Sequence, residues 1–173
     1  DINHSALGLI LFVLAGFVLT FLMQSSSAAM AITLSLTASG SIPLAAAGAL
    51  VIGANLGTTS TAILAVIGAT SNAKRIAAAH VIFNLITGSV GVLLLVIAES
   101  FINGNLQHLD MVTVLAAFHT LFNVMGVMIM WPLTERLVNF LKGRFRSQEE
   151  DIGNPRFLDK NILSTPNLAV DAM

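Results

Sequence analysis

The stretch Leu7–Thr37 reads LGLILFVLAGFVLTFLM, then Gln24-Ser25-Ser26-Ser27, then AAMAITLSLT. An apolar run long enough for most of a bilayer span ends in an amide and three hydroxyls, and a shorter apolar run follows. Ala28–Thr37 amounts to about 15 Å of helix, half of a hydrocarbon core of about 30 Å. A half-length helix entered through a polar loop predicts a re-entrant hairpin with Gln24–Ser27 at its tip.

Beyond the hairpin, Ser39-Gly40-Ser41 marks a turn. Pro43, at a first helical turn, opens an apolar segment running to about Val66. Its middle is interrupted by Gly53-Ala54-Asn55-Leu56-Gly57-Thr58-Thr59-Ser60-Thr61. Between Ser5 and Asn72 there is no Lys, Arg, Asp, Glu or His. Polar groups without partners are costly in hydrocarbon, and irregular polar backbone survives there only under protein or beside a water-filled cavity. In transporters such broken helices mark the substrate and ion site. The pattern predicts one span of two half-helices around an unwound centre, from an outer Ser39–Ile42 turn to an inner Ser71–Arg75 turn. The two polar islands then face each other near the midplane.

Two regular spans follow. Arg75–Ala79 with Ile82–Ala98 forms the first; Met111–Pro132 forms the second, closed by Trp131 at the interface and stopped by Pro132. Glu99–Asp110 reads as a short polar loop without a cation. Lys74-Arg75 precedes the first span, and Arg136, Lys142, Arg144 and Arg146 follow the second, which places those ends in the cytoplasm and the loop outside. The expected fold class is all-α integral membrane: a re-entrant hairpin, a discontinuous transmembrane helix and two full spans, multi-pass in the cell's inner (plasma) membrane. Residues 1–141 form the membrane repeat. Residues 142–173 form a charged linker and, with Leu, Ile and Val at helical spacing after Phe157, the start of a cytoplasmic helical module.

Composition agrees with this class. Hydrophobic residues make up 55% and charged residues 10%, and the mean hydropathy is +0.86, outside the soluble range. No basic stripe with interleaved aromatics supports nucleic-acid binding. Cysteine is absent, which excludes disulfides and thiolate metal sites. The first stretch lacks the basic flank of a signal peptide. The chain begins at Asp1 without an initiator Met, which reads as a fragment or processed product.

The islands carry the chemistry. Gln24–Ser27 offers neutral groups that both donate and accept, at the N-terminus of the second hairpin arm, where free N–H groups and the positive dipole end favour an anion. Serines can also serve close helix packing, but a Gln and three consecutive serines point around the whole helix. Gly53-x-x-x-Gly57 is formally a packing motif. Asn55 and the hydroxyls after it argue instead for unwinding that frees carbonyls, hard ligands suited to sodium. An intramembrane serine hydrolase using one of Ser25–Ser27 with His80 or His119 is the weaker alternative, because no elbow motif or buried carboxylate accompanies them. Ala79-His80-Val81-Ile82-Phe83-Asn84 and Phe118-His119-Thr120-Leu121-Phe122-Asn123 share a His-x-x-Phe-Asn core, a weak internal repeat on opposite sides of the membrane.

Gln24-Ser25-Ser26-Ser27 followed some thirty residues later by Gly53-Ala54-Asn55-Leu56-Gly57-Thr58-Thr59 resembles the sodium-dependent phosphate cotransporter family. The likeness is to bacterial members with a cytoplasmic PhoU-like domain. Ala69–Arg75, Ala79-His80, Phe83-Asn84 and Phe118–Asn123 resemble the segments after the second family repeat, and Phe157–Lys160 resembles the lead-in to the PhoU-like domain. The family uses two Gln-Ser-Ser-Ser repeats, whereas this chain has one, so it is similar to the C-terminal half. The resemblance implies sodium-coupled symport of inorganic phosphate into the cell, with sodium as co-substrate and no organic cofactor. Phosphate is expected on Gln24, Ser25, Ser26 and Ser27. Sodium is expected on Asn55, Thr58 and Thr59 with freed carbonyls. The partners are the lipid bilayer and a second Gln-Ser-Ser-Ser repeat, upstream or on another subunit. A non-transporting membrane phosphate sensor is the alternative.

The cation distribution makes a test of topology. In intact cells, a cysteine replacing Asn105 should react strongly with an impermeant thiol reagent and one replacing Asn72 weakly; the reverse pattern would invert the orientation.

Overall fold

The computed structural model describes residues 5–105 and 110–146. The expected start of a cytoplasmic module, at 147–173, lies outside the described residues. The elements are α1 (Ala6–Met23), α2 (Ser26–Ala38), α3 (Leu44–Ala65), α4 (Ser71–Asn105), α5 (Met111–Met130), a 3-10 turn at Trp131–Leu133, and α6 (Thr134–Arg144). Among the described residues, four stretches are long and apolar enough to cross a membrane: α1, α3, Ser71–Ala98 of α4, and Met111–Arg144. The described residues form helices and no strand, as in a multi-pass membrane protein.

Local chemistry sets the breaks. Ser5 Oγ accepts from the Gly8 N–H at 3.0 Å and caps α1. Gln24 ends that helix in the left-handed region, φ 53°, and Ser25 Oγ accepts from the Ala28 N–H at 3.2 Å to start the next. Only two residues therefore separate α1 from α2. The 13 residues of α2 span about 20 Å, short of a hydrocarbon core of about 30 Å. After the turn at Gly40 (φ 68°), Pro43 stands as the N-cap of α3 rather than inside its first turn.

Three sequence expectations are corrected. First, α3 is continuous from Leu44 to Ala65, with no unwound centre. Its hydroxyls turn back onto their own helix: Thr58 Oγ1 donates to Asn55 O at 2.7 Å, Thr59 to Leu56 O at 2.7 Å, Ser60 to Gly57 O at 2.6 Å and Thr61 to Thr58 O at 2.8 Å. Side chains that satisfy themselves this way need no break in the backbone. The turn after α3 is at 66–70, where Gly68 has φ 75°, and Ser71–Arg75 already belongs to α4. Second, α4 runs through Glu99 to Asn105, so the loop before α5 is shorter than read; Glu99–Asn105 holds no proline to end the helix. Third, α5 closes at Met130 as expected, but the apolar stretch runs on to Arg144, past Pro132. Pro132 sits in the first turn of a 3-10 segment, where its missing N–H is tolerated, and α6 resumes at Thr134.

The packing centres on α3. A Cβ on Gly16 would strike the Leu50 carbonyl, one on Gly53 would strike the Val13 carbonyl, and one on Gly57 would lie 2.6 Å from Thr20 Cβ. Residue numbers rise together along both helices, so α1 and α3 run parallel, backbone against backbone, and α2 is the return limb between them. By that register, the α1–α2 junction lies level with the C-terminal half of α3. On the other side, Gly91 meets Ile52 and Gly88 meets Leu56, so α4 runs antiparallel to α3. The buried core gathers Ala47, Val51, Ile52, Leu95, Leu115 and Phe122. By contrast Leu7 and Leu22 are 64% and 71% exposed, as suits a surface facing lipid.

The seam is testable. Gly53→Val in the complete protein should lower its unfolding free energy in detergent by about 1–3 kcal/mol, the usual range for overpacking. Gly143→Ala, whose Cβ would meet nothing within 4 Å, should be neutral or slightly stabilising. Equal effects of the two would remove the seam as a constraint.

Candidate functional site

Between α2, α3 and α5 lies a cavity of about 260 Å³. Ser26 and Ser27 reach it from the first turn of α2, Asn55 from the middle of α3, and His119 from α5; Met30, Leu34 and Val51 are among the apolar walls. No Lys, Arg, Asp or Glu lines it. The first residues of a helix carry backbone N–H groups without intrahelical acceptors. Here Ser25 supplies acceptors for the N–H of Ala28, through Oγ, and of Ala29, through O. Those of Ser26 and Ser27 have no acceptor among the described residues and lie at the cavity end of α2. The site thus combines a positive helix end, two hydroxyls, an amide and an imidazole inside a largely apolar shell.

Asn55 is oriented by its neighbour: Nδ2 donates to Thr87 Oγ1 on α4 at 3.4 Å, leaving Oδ1 as an acceptor. Thr87 is fully buried, and its own hydroxyl donates to Phe83 O and Asn84 O, both at 3.1 Å. One sequence-expected set is therefore divided. Ser26, Ser27 and Asn55 share the cavity. Gln24 does not line it: the side chain is exposed and Nε2 donates to Phe21 O at 2.7 Å. Ser25 is the helix cap. Thr58 faces α4, with Oγ1 at 3.4 Å from His80 Nε2, and Thr59 is buried in the packed body of α3. Because α3 is unbroken, its carbonyls stay in the helix ladder, and those of Asn55 to Thr58 also accept hydroxyls. The freed carbonyls expected as sodium ligands are absent from this arrangement.

His119, named from the sequence only beside the serines of the hydrolase alternative and not among the phosphate or sodium residues, lines the cavity. Its ring stands edge-on to Phe122, centroids 5.5 Å apart, and its carbonyl accepts from Asn123 Nδ2 at 2.9 Å. His80 O accepts from Asn84 Nδ2 at 3.0 Å in the same way. The two His-x-x-Phe-Asn copies therefore share one local device: the Asn amide, one turn on, bonds back to the His carbonyl and leaves the ring to point elsewhere. Thr20, on α1, does not line the cavity; it is buried, and among the described residues its Oγ1 has no hydrogen-bond partner. Among the described residues no hydrogen bond joins Ser26 or Ser27 to His119, so neither serine has a base in place.

The family model described as Na+/Pi-cotransporter matches residues 6–130, which take in α1 through α5. The chain belongs to the Na+/Pi-cotransporter family. It is 34% identical over 161 residues to the putative inorganic phosphate export protein YjbB of Escherichia coli K12, covering 91% of this chain and 29% of that protein. The same figures hold for the protein of that name from Shigella flexneri. It is 36% identical over 144 residues to the uncharacterized protein YqeW of Bacillus subtilis 168, covering 82% of this chain and 44% of that one. The chain thus spans less than half the length of these relatives. No solved structure matches it.

The shared cavity can be checked by cross-linking. Cysteines replacing Ser27 and Asn55 should be joined by a short bifunctional thiol reagent in the membrane. A pair at Ser27 and Thr134, at the start of α6, should not. Comparable yields for both pairs would dissolve the site.

Proposed function

We propose that this chain is one repeat of a sodium-coupled transporter of inorganic phosphate, with the anion held in the Ser26–Ser27–Asn55–His119 cavity. The observation that carries the proposal is the helix start of α2 facing Asn55 and His119 across a cavity without a cation. A phosphate there meets N–H and hydroxyl donors but no side chain of fixed positive charge, so bound sodium is the natural source of counter-charge. The α1–α2 pair is read as a re-entrant hairpin entering from outside, its junction level with the C-terminal half of α3. Of the expected sodium residues, Asn55 keeps a free acceptor at the cavity, while Thr58 lies one helical turn on, toward His80. Sodium is accordingly placed on the Asn55–Thr58 side, and phosphate on Ser26 and Ser27. Gln24 and Ser25 act by shaping the junction, with Thr59 holding the helix that presents Asn55. A second Gln-Ser-Ser-Ser repeat, supplied by the remainder of the transporter, completes the enclosure.

The proposed direction is inward, because an inward sodium gradient drives a symported anion the same way. Relatives that carry the name of phosphate export favour a second reading, in which the phosphate gradient or a different coupling drives efflux. Proteoliposomes holding the complete transporter separate the two: labelled phosphate should accumulate when sodium is raised outside, and choline should not replace it. Accumulation in choline alone would sink sodium coupling.

Coupling also predicts the mutants. Sodium and phosphate should tighten each other by the same factor. Asn55→Ala or Thr58→Val should raise the sodium concentration for half-maximal uptake. Ser26→Ala should weaken phosphate more than sodium, by about 1–3 kcal/mol for a lost buried hydrogen bond. Wild-type sodium dependence in both α3 variants would show that the ion sits elsewhere.

A further inference from the structure

At the end of the bundle where the cations collect, α3, α4 and α6 enclose a groove of about 510 Å³, separate from the Ser26–His119 cavity. Its walls include Ile63, Ile67, Val81 and Phe140, and Lys74 and Arg144 stand on its rim. No carboxylate lines it. The walls are open to the surroundings: Ile67 is 76% and Phe140 62% exposed.

The rim is held in place. Ser71 Oγ donates to Arg146 O at 3.1 Å, and Arg75 Nη2 to Lys142 O at 3.5 Å. These bonds tie the start of α4 to the end of α6 and keep Lys74 and Arg144 on one side of the groove. Neither side chain makes a hydrogen bond or ion pair among the described residues; Arg144 lies 5.5 Å from the Phe145 ring. Six cations (Lys74, Arg75, Arg136, Lys142, Arg144 and Arg146) face Glu135 as the only described carboxylate at this end.

We infer that this groove binds an anionic glycerophospholipid, with an acyl chain along Ile63, Ile67, Val81 and Phe140 and the headgroup phosphate between Lys74 and Arg144. An apolar helix would fill the walls but leave two cations facing hydrocarbon. An amphiphile with one negative phosphate and a long apolar chain satisfies both parts of the groove. The Lys and Arg excess assigns this end to the cytoplasm, where the leaflet supplies anionic lipid and basic pockets between transmembrane helices collect its headgroups.

The test uses the complete transporter in phosphatidylcholine vesicles doped with phosphatidylglycerol bearing a photoactivatable group on its acyl chain. Cross-linked peptides are then mapped by mass spectrometry. Labelling should fall on the Ile63–Ile67 and Phe140 peptides and be outcompeted by unlabelled phosphatidylglycerol. It should drop about fivefold for each cation removed in Lys74→Gln and Arg144→Gln, given roughly 1 kcal/mol for each basic residue near the surface. Lys74→Arg should retain it, which separates loss of charge from loss of fold. Equal labelling by a phosphatidylcholine analogue would reduce the groove to ordinary lipid-facing surface. Suppression by millimolar inorganic phosphate would reassign the cations to the transported ion. Absence of label from these peptides would mean that another part of the protein, such as the acidic run Glu149-Glu150-Asp151, fills the place.

Discussion

α1 and α3 approach until the carbonyls of one occupy the space where side chains of the other would be, and the remaining helices are arranged around that contact. Gly16, Gly53 and Gly57 make the approach possible, and each would collide with the opposite helix if it carried a Cβ. Association in lipid gains little from hydrophobicity, since the tails are as apolar as the side chains they replace; tight packing of small residues is the main attraction left. Parallel packing of two helices so close in sequence also demands a return limb between them. That limb is α2, and its first turn brings Ser26 and Ser27 to the level of Asn55. The geometry of the polar cavity thus follows from a contact that glycines, with no side chain at all, make possible.

The sequence carried the membrane class, the hairpin junction and the two later spans, because long apolar runs and polar breaks leave marks in composition alone. It misled at α3. Gly53 and Gly57 with a run of hydroxyls have two physical solutions. Either the helix opens and its carbonyls find other partners, or it stays closed, the hydroxyls bond back and the glycines admit a neighbour. Residue types do not choose between these; the position of α1 does.

Site residues were legible where they formed a run and hidden where they stood alone. Ser26, Ser27 and Asn55 belong to the islands and meet in the cavity. His119 and Thr87 sit singly in apolar spans, and their relevance rests on which face of α5 or α4 they occupy. The His-x-x-Phe-Asn repeat was a signal of sorts. Its amide-to-carbonyl bond, identical in both copies, marks two imidazoles whose rings are left to face other helices.

The contrast between α1 and α3 bears on how the protein is made. α1 is apolar along nearly its whole length and largely uncovered, so it is stable in a bilayer by itself. α3 is the least apolar of the four crossing stretches and the most covered by its own chain; alone among lipids it would expose Asn55 with nothing to bond. α3 is apolar enough to cross, but its polar middle is better satisfied under cover than facing lipid. α1 precedes it in the chain, and the face around Gly16 is the surface against which α3 packs. The order of translation thus matches the order in which this seam can be assembled.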